Sequence, residues 1–161
     1  MTRTDMTSTD QTSTDQTDRS EGATMEQAGV ALTETAWALQ NKINPFPVGG
    51  QLTWDGERLR FTLGALAGEA ALGWVEDRLG VEGLGDRLRS GESVDAVSVG
   101  REELRVSWPA MYAGSALEIT DQADRTWLIC LDYPSGGSIS QTMSLFSGRK
   151  KGKAWKKAFG S

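Results

Sequence analysis

From Val94 onward, apolar side chains recur at every second position, in short runs separated by turn-forming residues. Leu104, Val106 and Trp108 alternate with polar neighbours, as do Leu117 and Ile119, then Trp127, Ile129, Leu131 and Tyr133, and finally Ile139, Met143 and Leu145. Gly100, Pro109, Gly114, Asp121, Asp124 and Pro134-Ser135-Gly136-Gly137 punctuate these runs. A period of two with frequent breaks builds antiparallel sheet and cannot build a helical bundle. The spacing predicts strands over 94–99, 103–108, 115–120, 125–133 and 138–146. Upstream, Leu52-Thr53-Trp54 and Arg58-Leu59-Arg60-Phe61-Thr62-Leu63 flank Asp55-Gly56, a strong hairpin signal. The prediction is therefore seven strands.

Helical signals lie on either side of that hairpin. Thr24-Met25-Glu26-Gln27 reads as a capping box. Met25, Ala28, Gly29, Leu32, Ala36, Leu39 and Ile43 follow at helical spacing, and Val30 and Trp37 widen the stripe. This predicts a helix over 25–43 that ends before Asn44-Pro45-Phe46-Pro47. A second stretch, 66–79, places Leu72, Val75 and Leu79 on one face and stops at Gly80. Gly83 to Leu88 reads as a short helix or turn. Residues of about 65–91 thus form a helical insertion after the second strand.

The chain ends on a basic helix. Six of the seventeen Lys and Arg residues lie between positions 149 and 157, and residues 1–148 carry eleven basic and twenty-two acidic side chains, a net charge of −11. At about 100° per residue, Gly152, Trp155, Ala158 and Phe159 fall on one side. Arg149, Lys150, Lys153, Lys156 and Lys157 fall on the other, with Lys151 at the margin. Burying Trp155 and Phe159 over the open end of a sheet contributes about 3–6 kcal/mol.

Composition sets the boundaries. Residues 1–24 hold eight threonines and two copies of Ser-Thr-Asp-Gln-Thr, at 8–12 and 13–17, with almost nothing apolar. They cannot offset their ordering entropy and are expected to be a disordered tail, with phosphorylation of the threonines a weakly supported role. Residues 25–48 are read as the N-terminal helix with its proline-containing linker, and 49–161 as the folded domain. There is no signal-peptide pattern and no long apolar run, and the one cysteine, Cys130, cannot form an internal disulfide. A cytoplasmic protein is expected, at most peripheral at the inner membrane face.

Seven antiparallel strands closed by a C-terminal helix with an inward tryptophan resemble the pleckstrin-homology-like superfold. More narrowly, the chain resembles the small GRAM/PH-like proteins of actinobacteria. The likeness is carried by Leu52-Thr53-Trp54-Asp55-Gly56-Glu57-Arg58-Leu59-Arg60-Phe61, by Val94 to Val99 running into Leu104-Arg105-Val106-Ser107-Trp108-Pro109, and by Gly148 to Trp155. The resemblance implies an α+β fold: a seven-stranded PH-like barrel capped by Trp155 and Phe159, with the N-terminal helix and the insertion as additions. In phosphoinositide-binding members the head group sits at the loops near the first strands. Here only Arg58 and Arg60 are basic around that hairpin.

Catalytic signals are missing. There is no histidine, so neither a Ser-His-Asp triad nor a histidine metal site can form. Cys130, inside Trp127-Leu128-Ile129-Cys130-Leu131, reads as a buried thiol. Gly148 to Ala154 is one residue short of a phosphate loop and has Ala154 where a Ser or Thr is needed. The pairs Glu76-Asp77 and Glu102-Glu103 diverge on a helix or a strand alike. No enzyme activity, cofactor or specific nucleic acid is expected. The functional expectation is an interaction module that binds a protein or peptide along an exposed sheet edge. The alternative is association with anionic membrane through Arg149, Lys150, Lys153, Lys156 and Lys157. Against both stands solvated surface suited to the negative end of the helix dipole, which the acidic remainder of the chain favours.

Overall fold

The computed structural model describes residues 31–41, 46–134 and 140–160, the last with side chains from Ser147 onward. Seven strands are present: β1 (Leu32–Leu39), β2 (Val48–Trp54), β3 (Arg58–Leu63), β4 (Val94–Gly100), β5 (Arg105–Ser107), β6 (Ala116–Thr120) and β7 (Thr126–Cys130). Two helices, α1 (Glu69–Leu79) and α2 (Leu84–Arg89), intervene between β3 and β4, and α3 (Ser140–Phe159) follows β7. All strand pairs are antiparallel, in the order β4-β3-β2-β1-β7-β6-β5. β4 and β5 are the two ends of this sheet, so it does not close into the expected hydrogen-bonded barrel.

The alternating residues do what their period dictates. Leu52 and Trp54 of β2, Leu59, Phe61 and Leu63 of β3, Leu117 and Ile119 of β6, and Trp127 and Ile129 of β7 all point into one core. Ala71, Leu72 and Val75 of α1, Leu84 of α2 and Trp155 of α3 complete it. The outer face of the central strands carries a smaller apolar cluster of Leu39, Ala116, Leu128 and Cys130, against which Tyr112 packs. Trp37 lies on that outer face, edge-on to Tyr133 at 5.6 Å.

A polar knot ties the insertion to the β6–β7 turn. Asp121, almost fully buried, accepts hydrogen bonds from the backbone N–H of Ala123 (2.9 Å) and Arg125 (3.0 Å), from Arg125 Nε (2.8 Å) and from Trp127 Nε1 (3.2 Å). Burial alone would push the Asp121 carboxyl up, but these donors outweigh it and hold it below the ordinary aspartate value. Arg78 of α1 donates to the carbonyls of Thr126 (2.8 Å) and Gln40 (3.2 Å) and sits over the rings of Trp74 and Trp127.

Three further expectations are corrected. The helix predicted over 25–43 is, from Leu32 to Leu39, strand β1; residues 25–30 and 42–45 lie outside the described residues. β1 occupies the middle of the sheet and is apolar on both sides, with Ala36 and Ala38 inward and Trp37 and Leu39 outward. Doubly covered strands lose the alternation that marks a strand, and their apolar runs also fit a helical stripe. The strand predicted over 138–146 is helical from Ser140 onward. No glycine or proline interrupts 140–147, so the basic helix continues upstream. The strand count of seven survives only because β1 replaces that lost strand. The insertion is present as α1 and α2, but it follows the third strand rather than the second. The tail assigned to 1–24 lies outside the described residues.

Candidate functional site

α3 packs by a stripe of small and aromatic residues. Gly148 and Gly152 are four apart on one face, which lets the helix backbone approach the Gly114-Ser115 corner. A methyl group at Gly152 would overlap the Gly114 carbonyl oxygen, and one at Gly148 would lie 2.5 Å from Ser115 Cβ and 2.9 Å from Asp132 Oδ2. Farther along the stripe Trp155 is fully buried, 5.6 Å from the Phe159 ring, which in turn meets Trp54 edge-on at 5.3 Å. The predicted cap residues therefore sit in and against the core. The buried indole N–H groups of Trp54 and Trp155 meet no acceptor among the described residues.

Lys151 belongs to the fold. Its Nζ donates to the Leu131 carbonyl at 3.1 Å and lies 3.3 Å from both Glu34 Oε2 on β1 and Asp132 Oδ1. Burial disfavours its charge, but the two carboxylates more than compensate and hold the ammonium above the ordinary lysine value.

What remains is a cationic face. Arg149, Lys150, Lys153 and Lys157 are exposed, and Lys156 is half-buried with Nζ 4.9 Å from the centre of the Trp108 ring. Arg149, Lys150, Lys153 and Lys156, with Gly152, form one wall of an open recess of about 450 Å³, and Ala113 and Gly114 form the other. Four of the five predicted cations are thus brought together; Lys157 does not line the recess. The tight corner opposite depends on left-handed backbone at Ala113 (φ 49°) and Gly114 (φ 85°). Spacing did not single out Ala113, Gly114 or Trp108 as parts of a site. The one available signal was the Gly148/Gly152 pair, which marks where another backbone comes close.

Among the described residues the recess lining holds donors and positive charge and no carboxylate, thiol or hydroxyl, a set suited to anionic oxygen. Elsewhere, burial and the neighbouring Asp132 charge push the Cys130 thiol up to about 12, which leaves it protonated and unreactive. Among the described residues no group of His, Cys, Asp and Glu side chains could hold a metal ion, and no helix is long and apolar enough to cross a membrane. No protein-family model and no curated protein matches the chain.

Proposed function

We propose that the chain is an interaction module of the pleckstrin-homology-like type whose basic recess binds an acidic segment of a protein or peptide. The strand order, with a C-terminal helix packed on the core through Trp155, supports the fold part of this reading. The functional part rests on one observation. Between Ser147 and Gly160, where side chains are described, Trp155 is buried in the core and Phe159 packs against it, so this part of α3 offers partners cations and no exposed large apolar side chain. A helix that lies in a membrane interface inserts its apolar face; among the described side chains, from Ser147 on, this one has none left to insert. Trp108, half-buried beside the terminal strand β5, holds Lys156, one of the recess cations, over its ring.

Head-group-level attraction to an anionic bilayer is the second reading, favoured by the exposure of Arg149, Lys150, Lys153 and Lys157 on one helix. Titration with a fluorescent polyglutamate peptide, beside flotation with anionic and neutral vesicles, separates the two. The proposal expects saturable peptide binding that weakens with salt and is lost when Lys150, Lys153, Lys156 and Lys157 are changed to Gln. Vesicle flotation without peptide binding would replace it with the second reading.

A further inference from the structure

The segment best matched to this recess is part of the same chain. Residues 1–30 carry six carboxylates and two arginines, net −4, and between Thr4 and Thr17 the unit Thr-Asp-X-Thr repeats every five residues, placing Asp5, Asp10 and Asp15 at regular intervals. No acidic residue occurs from 140 to the end. The two ends of the chain are therefore of opposite charge.

The length of the connection allows them to meet. Glu34, two residues into β1, contacts Lys151 at 3.3 Å, so the start of β1 lies against the middle of α3. At about 100° per residue Arg149, Lys153 and Lys156 of the recess lie about 140–160° around α3 from Lys151, so a segment entering the recess from β1 has to pass around the helix. An extended chain spans about 3.3–3.6 Å per residue, so the stretch between Asp18 and Leu32 reaches this face several times over. A flexible connection of that length holds its free end at a local concentration on the order of millimolar. We infer that the acidic N-terminal segment, through Asp5, Asp10, Asp15 and Asp18, occupies the basic recess of α3 in cis and competes there with the acidic partner. This inference rests on the reading of the recess as an anion-binding site.

The test uses the full chain. Cys130 is buried, so a cysteine introduced by Thr12→Cys can be spin-labelled selectively. The label should broaden the amide signals of residues 149–157 at low salt. The broadening should vanish at about 1 M salt, where the Debye length is about 3 Å, and in the variant with all four aspartates changed to Asn. No broadening at low salt, or broadening that survives the Asn changes, overturns the inference. So does broadening that appears only between labelled and unlabelled molecules in a mixture. In parallel, the Asn variant should bind the polyglutamate peptide about three- to tenfold more tightly than the native chain, because an internal competitor has been removed. Equal affinities would overturn the competition and leave the recess as a binding site. Broadening as expected, with no peptide bound by either protein, would keep the internal contact and refute the proposed function.

Discussion

Single residues carry more of this structure than their chemistry alone suggests. Asp121 is the clearest case, a nearly buried carboxylate satisfied by four donors. Asp121→Asn keeps the shape but loses the charge that Arg125 faces, and should cost about 2–4 kcal/mol in a denaturant titration. The sign of the pH effect follows from its lowered value. A carboxyl held below its unfolded pKa of 3.8 contributes stability above that pH and loses it as pH falls through the folded value. Acid unfolding of the native protein should therefore steepen below about pH 3.8, and the Asn variant should lose that component. Trp155 makes the opposite point about polar groups. Trp155→Ala should cost about 3–5 kcal/mol through the cavity it leaves. Trp155→Phe should cost clearly less, because the indole N–H it removes has no acceptor among the described residues. Equal thermal shifts for the two variants would contradict the cavity account, since phenylalanine keeps most of the ring volume.

At the scale of elements, glycines on two helices predict opposite outcomes. Gly73 lies in the interior of α1 and faces open space, so Gly73→Ala should stabilise by about 0.5–1 kcal/mol. Gly152 lies against the Gly114 carbonyl, and Gly152→Ala should destabilise by about 1–3 kcal/mol by levering α3 off its seat. Thermal melts of the two variants should move in opposite directions. The same helices show what a sequence can and cannot disclose. β3, β4 and β6 were legible because one face of each meets the core and the other meets water or a thin cover, and β7, buried on both faces, was legible from the turn residues Asp121, Asp124 and Pro134 that bound its apolar run. β1 was not, since a strand with neighbours and apolar residues on both sides has no alternation to read. α3 was legible from Arg149 to Phe159, where charge and aromatics segregate, and illegible upstream, where Met143 and Leu145 fit a strand period equally well. The cationic residues of the site were visible in the sequence. Its other wall, at Ala113 and Gly114, was not, because a loop that meets a helix by close backbone approach leaves no side-chain pattern.

For the molecule as a whole, the distribution of charge matters more than its sum. A net charge of −5 conceals an acidic body and a basic terminal helix. The aromatic side of that helix is buried in the core, the ammonium of Lys151 is tied to β1 and to Asp132, and the remaining cations gather opposite the Ala113-Gly114 corner. Folding itself therefore builds the basic recess, and changing Lys150, Lys153, Lys156 and Lys157 to Gln should alter binding. The cost in stability should be no more than about 0.5 kcal/mol for each exposed lysine and about 0.5–1 kcal/mol for Lys156, which loses its contact with the Trp108 ring. A large loss of stability in that variant would mean these lysines hold the fold instead. The most direct test of the account is an amide chemical-shift titration of the full chain with a polyglutamate peptide at low salt. The account predicts shifts at Trp108, the Ala113-Gly114 corner and residues 149–157, with any others confined to the displaced acidic segment from Asp5 to Asp18. Shifts centred on another face, or none at low salt, would contradict it.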